Sequence, residues 1–331
     1  MTNYIVTSND PGKMGGSKAK EDIVKFLKEE GYASFWVNPY QPNKLAKFWY
    51  TYSHLMNFFK KSEIDNLIMQ YPIPSRYMVD KFVNKLKETK KTNFIIWIHD
   101  IQGLQSSDND SATWEIELFN NADILVVHNE KMKQWLLQNG VNTRMIVLEI
   151  FDYDNPQTVQ KQHEYEKTVC FAGNLFKSVF LTELNTKNKV YVFGPNMPEK
   201  HSANTIYSGQ YSPEELSQHL TQNFGLIWDG PSLTTCEGTF GHYLLFNNPH
   251  KTSLYISSGV PIIIWEKAAL ADFVLQNNIG IVIDDLSRLD RVLDSVSAES
   301  YNLMKKNIDK MAEKLRTGYY TKEVIKKIDM Q

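Results

Sequence analysis

Short, wholly apolar runs that end at a polar or glycine-bearing turn constrain this chain more than any other feature. Phe94-Ile95-Ile96-Trp97-Ile98 runs into His99-Asp100, Gly225-Leu226-Ile227-Trp228 into Asp229-Gly230-Pro231, and Val260-Pro261-Ile262-Ile263-Ile264-Trp265 into Glu266. Strands apolar on both faces belong to parallel sheets covered by helices. Helical patterns separate the runs, and that alternation predicts an α/β fold of Rossmann-like, doubly wound units.

In chain order, Tyr4–Thr7 reads as a strand followed by a glycine loop, Asn9 to Gly16, and a helix from Ser17 that stops at Gly31. The loop is not GxGxxG, so the dinucleotide fingerprint is absent. Ala33–Val37 is a strand. Lys44–Lys60 is a helix whose Leu45, Phe48, Trp49, Tyr52, Leu55, Met56 and Phe59 are spaced as one stripe, assigned to the core before an oligomer contact. Strands follow at Asn66–Tyr71, 94–98, Asp123–His128 and Thr143–Ile150, with helices Tyr77–Thr89, 112–120 and Glu130–Asn139 between them. The polar stretch Asp152–Lys167 resembles a linker. The alternation then restarts, with strands at Thr168–Ala172, Val190–Phe193, Thr205–Tyr207, Gly225–Trp228, 260–265 and Gly280–Ile283. Val179–Leu184 and Lys267–Asn277 read as helices, and Ser212 with Glu215 forms a capping box.

The chain's 331 residues exceed one ordinary core and favour two domains of roughly 150 residues. The boundaries expected are 1–152 and 153–317, with a C-terminal helix of about 318–331 packing back on the first domain. A net charge of −2 provides no basic field for nucleic acid. Cys170 and Cys236 form no CxxC or metal spacing, which suits a reducing compartment. No charged n-region with an apolar core opens the chain, and no apolar run nears the ~20 residues of a membrane span. A cytoplasmic protein without an integral membrane segment is the expectation.

Four polar loops of the second half follow strands: 173–178, 208–211, 229–230 and 265–267. In a doubly wound domain they share one sheet edge, which gathers Asn174, Lys177, Tyr211, Asp229, Lys251 and Glu266. Asn248-Pro249-His250-Lys251-Thr252-Ser253 opens a helix, where unpaired N–H groups and the dipole favour an anion. Lys177 and Lys251 would neutralise a diphosphate, Tyr211 would stack on a base, and Glu266 would accept from ribose hydroxyls. In the first half, His99 and Asp100 stand at a strand end as the candidate general base. Asp108-Asn109-Asp110 reads as a solvated turn, and no His/Cys spacing calls for a metal.

These residues resemble a known family. Gly15-Gly16-Ser17-Lys18, Ile98-His99-Asp100-Ile101, Ala172-Gly173-Asn174, 225–230, Asn248 to Tyr255 and Val260 to Ala269 are similar to the bacterial glucosyltransferase 3 and galactofuranosyltransferase-like family. The resemblance runs along nearly the whole chain, most specifically over 225–269. It implies a GT-B fold and a UDP-sugar donor used without a metal or other cofactor. It implies UDP contacts at Lys177, Tyr211 and the 248–253 turn, with Gly16 and Lys18 facing the donor. Where the family often has an arginine after the Gly-Asn pair, this chain has Lys177. The glucosyltransferase 3 branch adds the second sugar to N-acetylglucosamine on serine-rich repeat adhesins and forms homo-oligomers. The expectation is therefore a hexosyltransferase, using UDP-glucose on a glycan or glycoprotein acceptor and assembling as a dimer or tetramer. The alternatives are a galactofuranosyltransferase of polysaccharide assembly and a non-catalytic nucleotide-sugar-binding partner subunit. A nicotinamide dehydrogenase is disfavoured by the first loop.

Overall fold

A computed structural model describes residues 2–9, 15–61, 63–88, 92–105, 109–159 and 164–330. Residues 10–14 of the glycine loop, Thr89, Asp108 of the acidic triplet and residues 160–163 of the linker-like stretch lie outside them. Two compact units divide the chain: 1–148 with 321–331, and 149–320.

The first unit holds six parallel strands, β1 (Tyr4–Ser8), β2 (Ala33–Val37), β3 (Asn66–Tyr71), β4 (Asn93–Ile98), β5 (Ile124–Val127) and β6 (Arg144–Val147). Their order is β2-β1-β3-β4-β5-β6, and every pairing is parallel. The helices are α1 (Gly15–Glu29), α2 (Lys44–Tyr50), α3 (Met56–Lys61), α4 (Arg76–Glu88), α5 (Gln102–Gln105), α6 (Asn109–Phe119) and α7 (Glu130–Gln138). β3 and β4 are buried along their length apart from their first residues, as strands covered on both faces must be. One sheet face, with Val6, Met69, Ile96 and Leu125, packs against Phe82 of α4, Phe119 of α6 and Leu136 of α7.

The second unit also holds six parallel strands. They are β7 (Val169–Ala172), β8 (Val190–Phe193), β9 (Thr205–Tyr207), β10 (Phe224–Ile227), β11 (Ile262–Trp265) and β12 (Gly280–Ile283), in the order β12-β11-β10-β7-β8-β9. Its helices are α8 (Pro213–Leu216), α9 (Gly238–Tyr243), α10 (His250–Ser257), α11 (Ala271–Gln276), α12 (Leu289–Ser295) and α13 (Ala298–Arg316). A last helix, α14 (Tyr319–Asp329), falls almost wholly in the first unit, where Lys322 pairs with Glu29 of α1 at 2.7 Å.

Three expectations are corrected. The stripe at 44–60 is not one core face: Leu45 is 67 % and Trp49 62 % exposed, and Phe48 and Tyr52 are exposed too. The rest of the stripe does reach the core, with Leu55 buried and Met56 and Phe59 partly buried against it, beside Thr51 and Phe58. The helix passes through a π turn, Thr51–Leu55, which adds a residue to that turn and changes the side later positions face. The helix expected from Lys267 begins only at Ala271, because the chain first turns so that Ala269 N–H can reach Leu244 O at 2.8 Å. Val179–Leu184 gives a short 3-10 turn over Val179–Thr182 in place of an α-helix.

Candidate active site

Because every strand of the second sheet is parallel, the loops after β7, β8, β9, β10 and β11 open on one edge. Reading from β7, its order is that of a doubly wound nucleotide-binding sheet, with the strand direction of travel reversing between β7 and β10. The turn after β7 carries Asn174 and Lys177, the turn after β10 carries Asp229, and α10, later in the same β10–β11 connection, carries Lys251.

Backbone bonds lock the loops together. Gly173 N–H donates to Phe193 O at 3.0 Å, and Gly194 N–H to Gly209 O at 2.9 Å. Gly194 has φ +132°, and a Cβ there would lie 1.8 Å from Gly173 O, so no side chain fits. Asn174 caps the 3-10 turn Leu175–Lys177 and accepts from Asn196 Nδ2 at 2.9 Å. Inside β10, Gly225 leaves room for the Tyr255 ring, which an added Cβ would meet at 2.3 Å. That approach lets the Tyr255 hydroxyl accept from Ala172 N–H at 2.7 Å, tying α10 to the end of β7. A glycine inside a central strand is the sequence signal for this contact.

On that frame Lys251, in the first turn of α10, donates to Asp229 Oδ1 at 2.9 Å, with both side chains 17 % exposed. Its ammonium also lies 4.6 Å from the centre of the Phe171 ring. A cation at a helix N-terminus is opposed by the helix dipole, so this lysine requires nearby negative charge. Asp229 supplies it, and an anionic ligand would do the same. Lys177 stands over the Phe240 ring at 4.0 Å, and its carbonyl accepts from Gly230 N–H at 3.4 Å. Tyr211 stacks on His219, centroids 3.6 Å apart and planes at 17°, so one ring face is already covered. Glu266 is exposed just past β11.

The turn at 248–253 is less open than its sequence implies. Thr252 and Ser253 are buried, and the Ser253 hydroxyl donates to Phe151 O at 2.7 Å. Asn248 is buried with Nδ2 donating to Glu149 O at 3.0 Å. Only Lys251 carries a polar side chain from this turn toward Asp229. Cys236 is close by, but burial pushes its thiol up, which makes it a poor nucleophile.

In the first unit, Gly16 is exposed at the start of α1, whereas Lys18 is buried and ion-paired with Asp22 on its own helix. Lys20 donates to Ser8 Oγ at 2.8 Å and to Pro72 O at 2.9 Å, bridging the ends of β1 and β3. Gln70 donates through Nε2 to Lys20 O at 3.1 Å, which leaves its Oε1 as the acceptor facing His99 Nε2 at 2.6 Å. The Nε2–H of His99 therefore donates to that oxygen. Asp100 accepts from Gln105 Nε2 at 2.9 Å. Glu115 fixes the following turn: it accepts from Tyr71 OH, Gln102 N–H and Gly103 N–H, each at 2.7 Å. Burial raises its pKa against the lowering effect of those bonds. Gln70 and Glu115 had no motif to announce them: Gln70 lies inside a buried strand, and Glu115 is one of two glutamates in the run Trp114 to Leu118. Among the described residues no group of three or more His, Cys, Asp or Glu side chains could hold a metal. No described helix is long and apolar enough to cross a membrane.

Two successive parallel six-stranded units, with their candidate residues at strand C-termini, define the GT-B class of glycosyltransferases. Solved structures agree on that fold. Sucrose-phosphate synthase from Thermosynechococcus elongatus matches over 99 % of both chains (TM-score 0.64, 11 % identity). Anabaena HepE, solved in complex with UDP, matches over 100 % of both (TM-score 0.64, 9 % identity). The chain belongs to the glucosyltransferase 3-like family: the N-terminal domain model matches residues 2–150 and the C-terminal domain model 169–328. It is thus a sugar-transferring enzyme. It is 33 % identical over 270 residues to the β-1,6-galactofuranosyltransferase WbbI of Escherichia coli (strain K12), covering 80 % of this chain and 79 % of that one. It is 26 % identical over 265 residues to glucosyltransferase 3 of Streptococcus gordonii, covering 79 % and 78 %.

Proposed function

We propose that the chain transfers a hexosyl group from a UDP-sugar to a hydroxyl of a glycan acceptor, without a metal ion. The observation that carries this reading is Lys251. It is a cation held at the positive end of α10 by one part-exposed carboxylate, at the strand reversal of a nucleotide-type sheet. A diphosphate at that point would meet Lys251, with Lys177 on the adjoining loop, and both would stabilise the UDP leaving group as its charge grows. Tyr211 would stack through its uncovered face on uracil, Glu266 would accept from ribose hydroxyls, and Asn174 would hold the loop beneath the phosphates. Asn248, Thr252 and Ser253 would act through the shape of the turn rather than through their side chains. His99, with Asp100 beside it, would be the general base toward the acceptor hydroxyl. Gly16 would let the donor approach the backbone of α1. Lys18, buried and held by Asp22, would support the start of α1 rather than touch the donor.

Isothermal calorimetry of UDP against the full chain with EDTA present tests this. Binding is expected, and its absence at millimolar UDP overturns both the site and its independence of metal. The family name supports glucose as the sugar, and N-acetylglucosamine on a serine-rich repeat adhesin is the acceptor that the resemblance implies. The higher identity to a galactofuranosyltransferase favours a second reading, UDP-galactofuranose with a polysaccharide acceptor. UDP release from UDP-glucose, UDP-galactofuranose and UDP-N-acetylglucosamine separates the two. UDP binding without turnover of any donor would point to a partner subunit instead. The two free, buried cysteines support a reducing, cytoplasmic location.

A further inference from the structure

The helix that failed to bury its aromatic stripe has a second property. From Gly31 to Lys61 the sequence contains Lys44, Lys47, Lys60 and Lys61 and not one Asp or Glu, within a chain of net charge −2. No residue of α2 is buried. Leu45, Phe48 and Trp49 stand exposed on it, with Tyr52 exposed in the π turn after it and Tyr40 in the loop before. The exposed rings are mutually packed: Phe48 meets Trp49 at 5.7 Å edge to face and Tyr52 at 4.6 Å. The helix itself is pinned. Asn43 caps it through Ala46 N–H, and Tyr50 OH accepts from Asn38 N–H at 2.9 Å. An ordered apolar patch left in water marks a place of interaction.

We propose that α2 and its flanking loop form a docking surface for an anionic lipid bilayer, on which the enzyme rests without crossing it. The composition argues for that occupant. Trp and Tyr favour the headgroup level, Leu and Phe reach the acyl boundary, and lysines are drawn to anionic lipid while acidic residues would be repelled. A second copy of this chain fits less well, because a two-fold contact through this face would set Lys44 and Lys47 toward their own copies. This inference is independent of the donor site.

The test is co-sedimentation of the full chain with vesicles of phosphatidylcholine, with and without phosphatidylglycerol. The wild type should sediment with the phosphatidylglycerol vesicles, stay in solution with phosphatidylcholine alone, and be released by high salt. F48S/W49S should weaken binding at least ~10-fold while keeping the wild-type circular dichroism and melting midpoint, since both side chains are exposed. K44E/K47E should lose at least ~10-fold on the anionic vesicles. The proposal is overturned if the wild type stays off the anionic vesicles, or if F48S/W49S binds them as the wild type does. In the first case, a dimer or larger assembly by light scattering that F48S/W49S splits would assign the face to a second copy.

Discussion

The two sheets reverse their strand order at different places, and the contents of those places differ in kind. In the first unit the reversal lies between β1 and β3, and Lys20 fills it, bonded to Ser8 and to the carbonyl of Pro72. The neighbouring Lys18–Asp22 pair is buried within one helix. In the second unit the reversal lies between β7 and β10, and its lysine and aspartate come from different elements and remain part-exposed. A pair within one buried helix is part of the core, and a ligand cannot replace either member without unfolding its surroundings. A pair that bridges two elements at the solvent edge can exchange its carboxylate for a phosphate. The contrast is a physical ground, separate from any relative, for proposing the nucleotide site in the second unit.

The largest effect should come from breaking the closed pair. Lys18→Met leaves Asp22 buried without its lysine, and the first unit should lose about 3–5 kcal/mol in chemical denaturation. UDP affinity should not change. A variant that keeps its stability but binds UDP more weakly would make Lys18 a donor contact and remove the contrast. Next is His128, buried behind His99 with Nε2 at 3.1 Å from Ile98 O, whose pKa burial lowers to about 4. The unfolded chain holds that proton below about 6.5 and the folded one does not, so stability is complete above that pH and declines as pH falls toward 4. The loss should reach on the order of 3 kcal/mol at the acid end, and His128→Gln should flatten it. Equal losses in wild type and variant between neutral pH and about pH 4 would show that other groups control acid stability.

The same contrast explains what could be read before the structure. Apolar runs such as 94–98 and 262–264 are a direct record of burial on both faces, so the parallel sheets were legible, as was the shared edge of the loops. Which lysines are offered at that edge was not. Lys18 and Lys251 look alike in sequence, each within the first turn of a helix. The difference is a carboxylate at i+4 for one and a carboxylate on a neighbouring strand end for the other. Ser253 and Asn248 look like ligand-facing polar residues, yet their partners are the carbonyls of Phe151 and Glu149, about a hundred residues away in sequence. The stripe at 44–60 misled for another reason: helical spacing shows that a face exists, not whether anything in the same chain covers it.

In the second unit the effects are smaller and fall on binding rather than folding. Lys251→Ala should weaken UDP by about 1.5–3 kcal/mol, the range of a hydrogen bond to a charged group, with little change in melting midpoint. Loss of stability without loss of affinity would place Lys251 among the structural pairs and leave the two units alike. The smallest effect, and the sharpest test of the exchange idea, belongs to Asp229→Asn. If the diphosphate displaces Asp229 from Lys251, the neutral amide removes a competitor and a like charge, so UDP should bind as well or slightly better, within about 1 kcal/mol for a part-exposed pair. If Asp229 instead holds Lys251 in place while the nucleotide is bound, the Asn variant should weaken UDP in the same direction as Lys251→Ala. Calorimetry on the two single variants and the double variant separates these outcomes, because under exchange the double variant should bind no worse than Lys251→Ala alone.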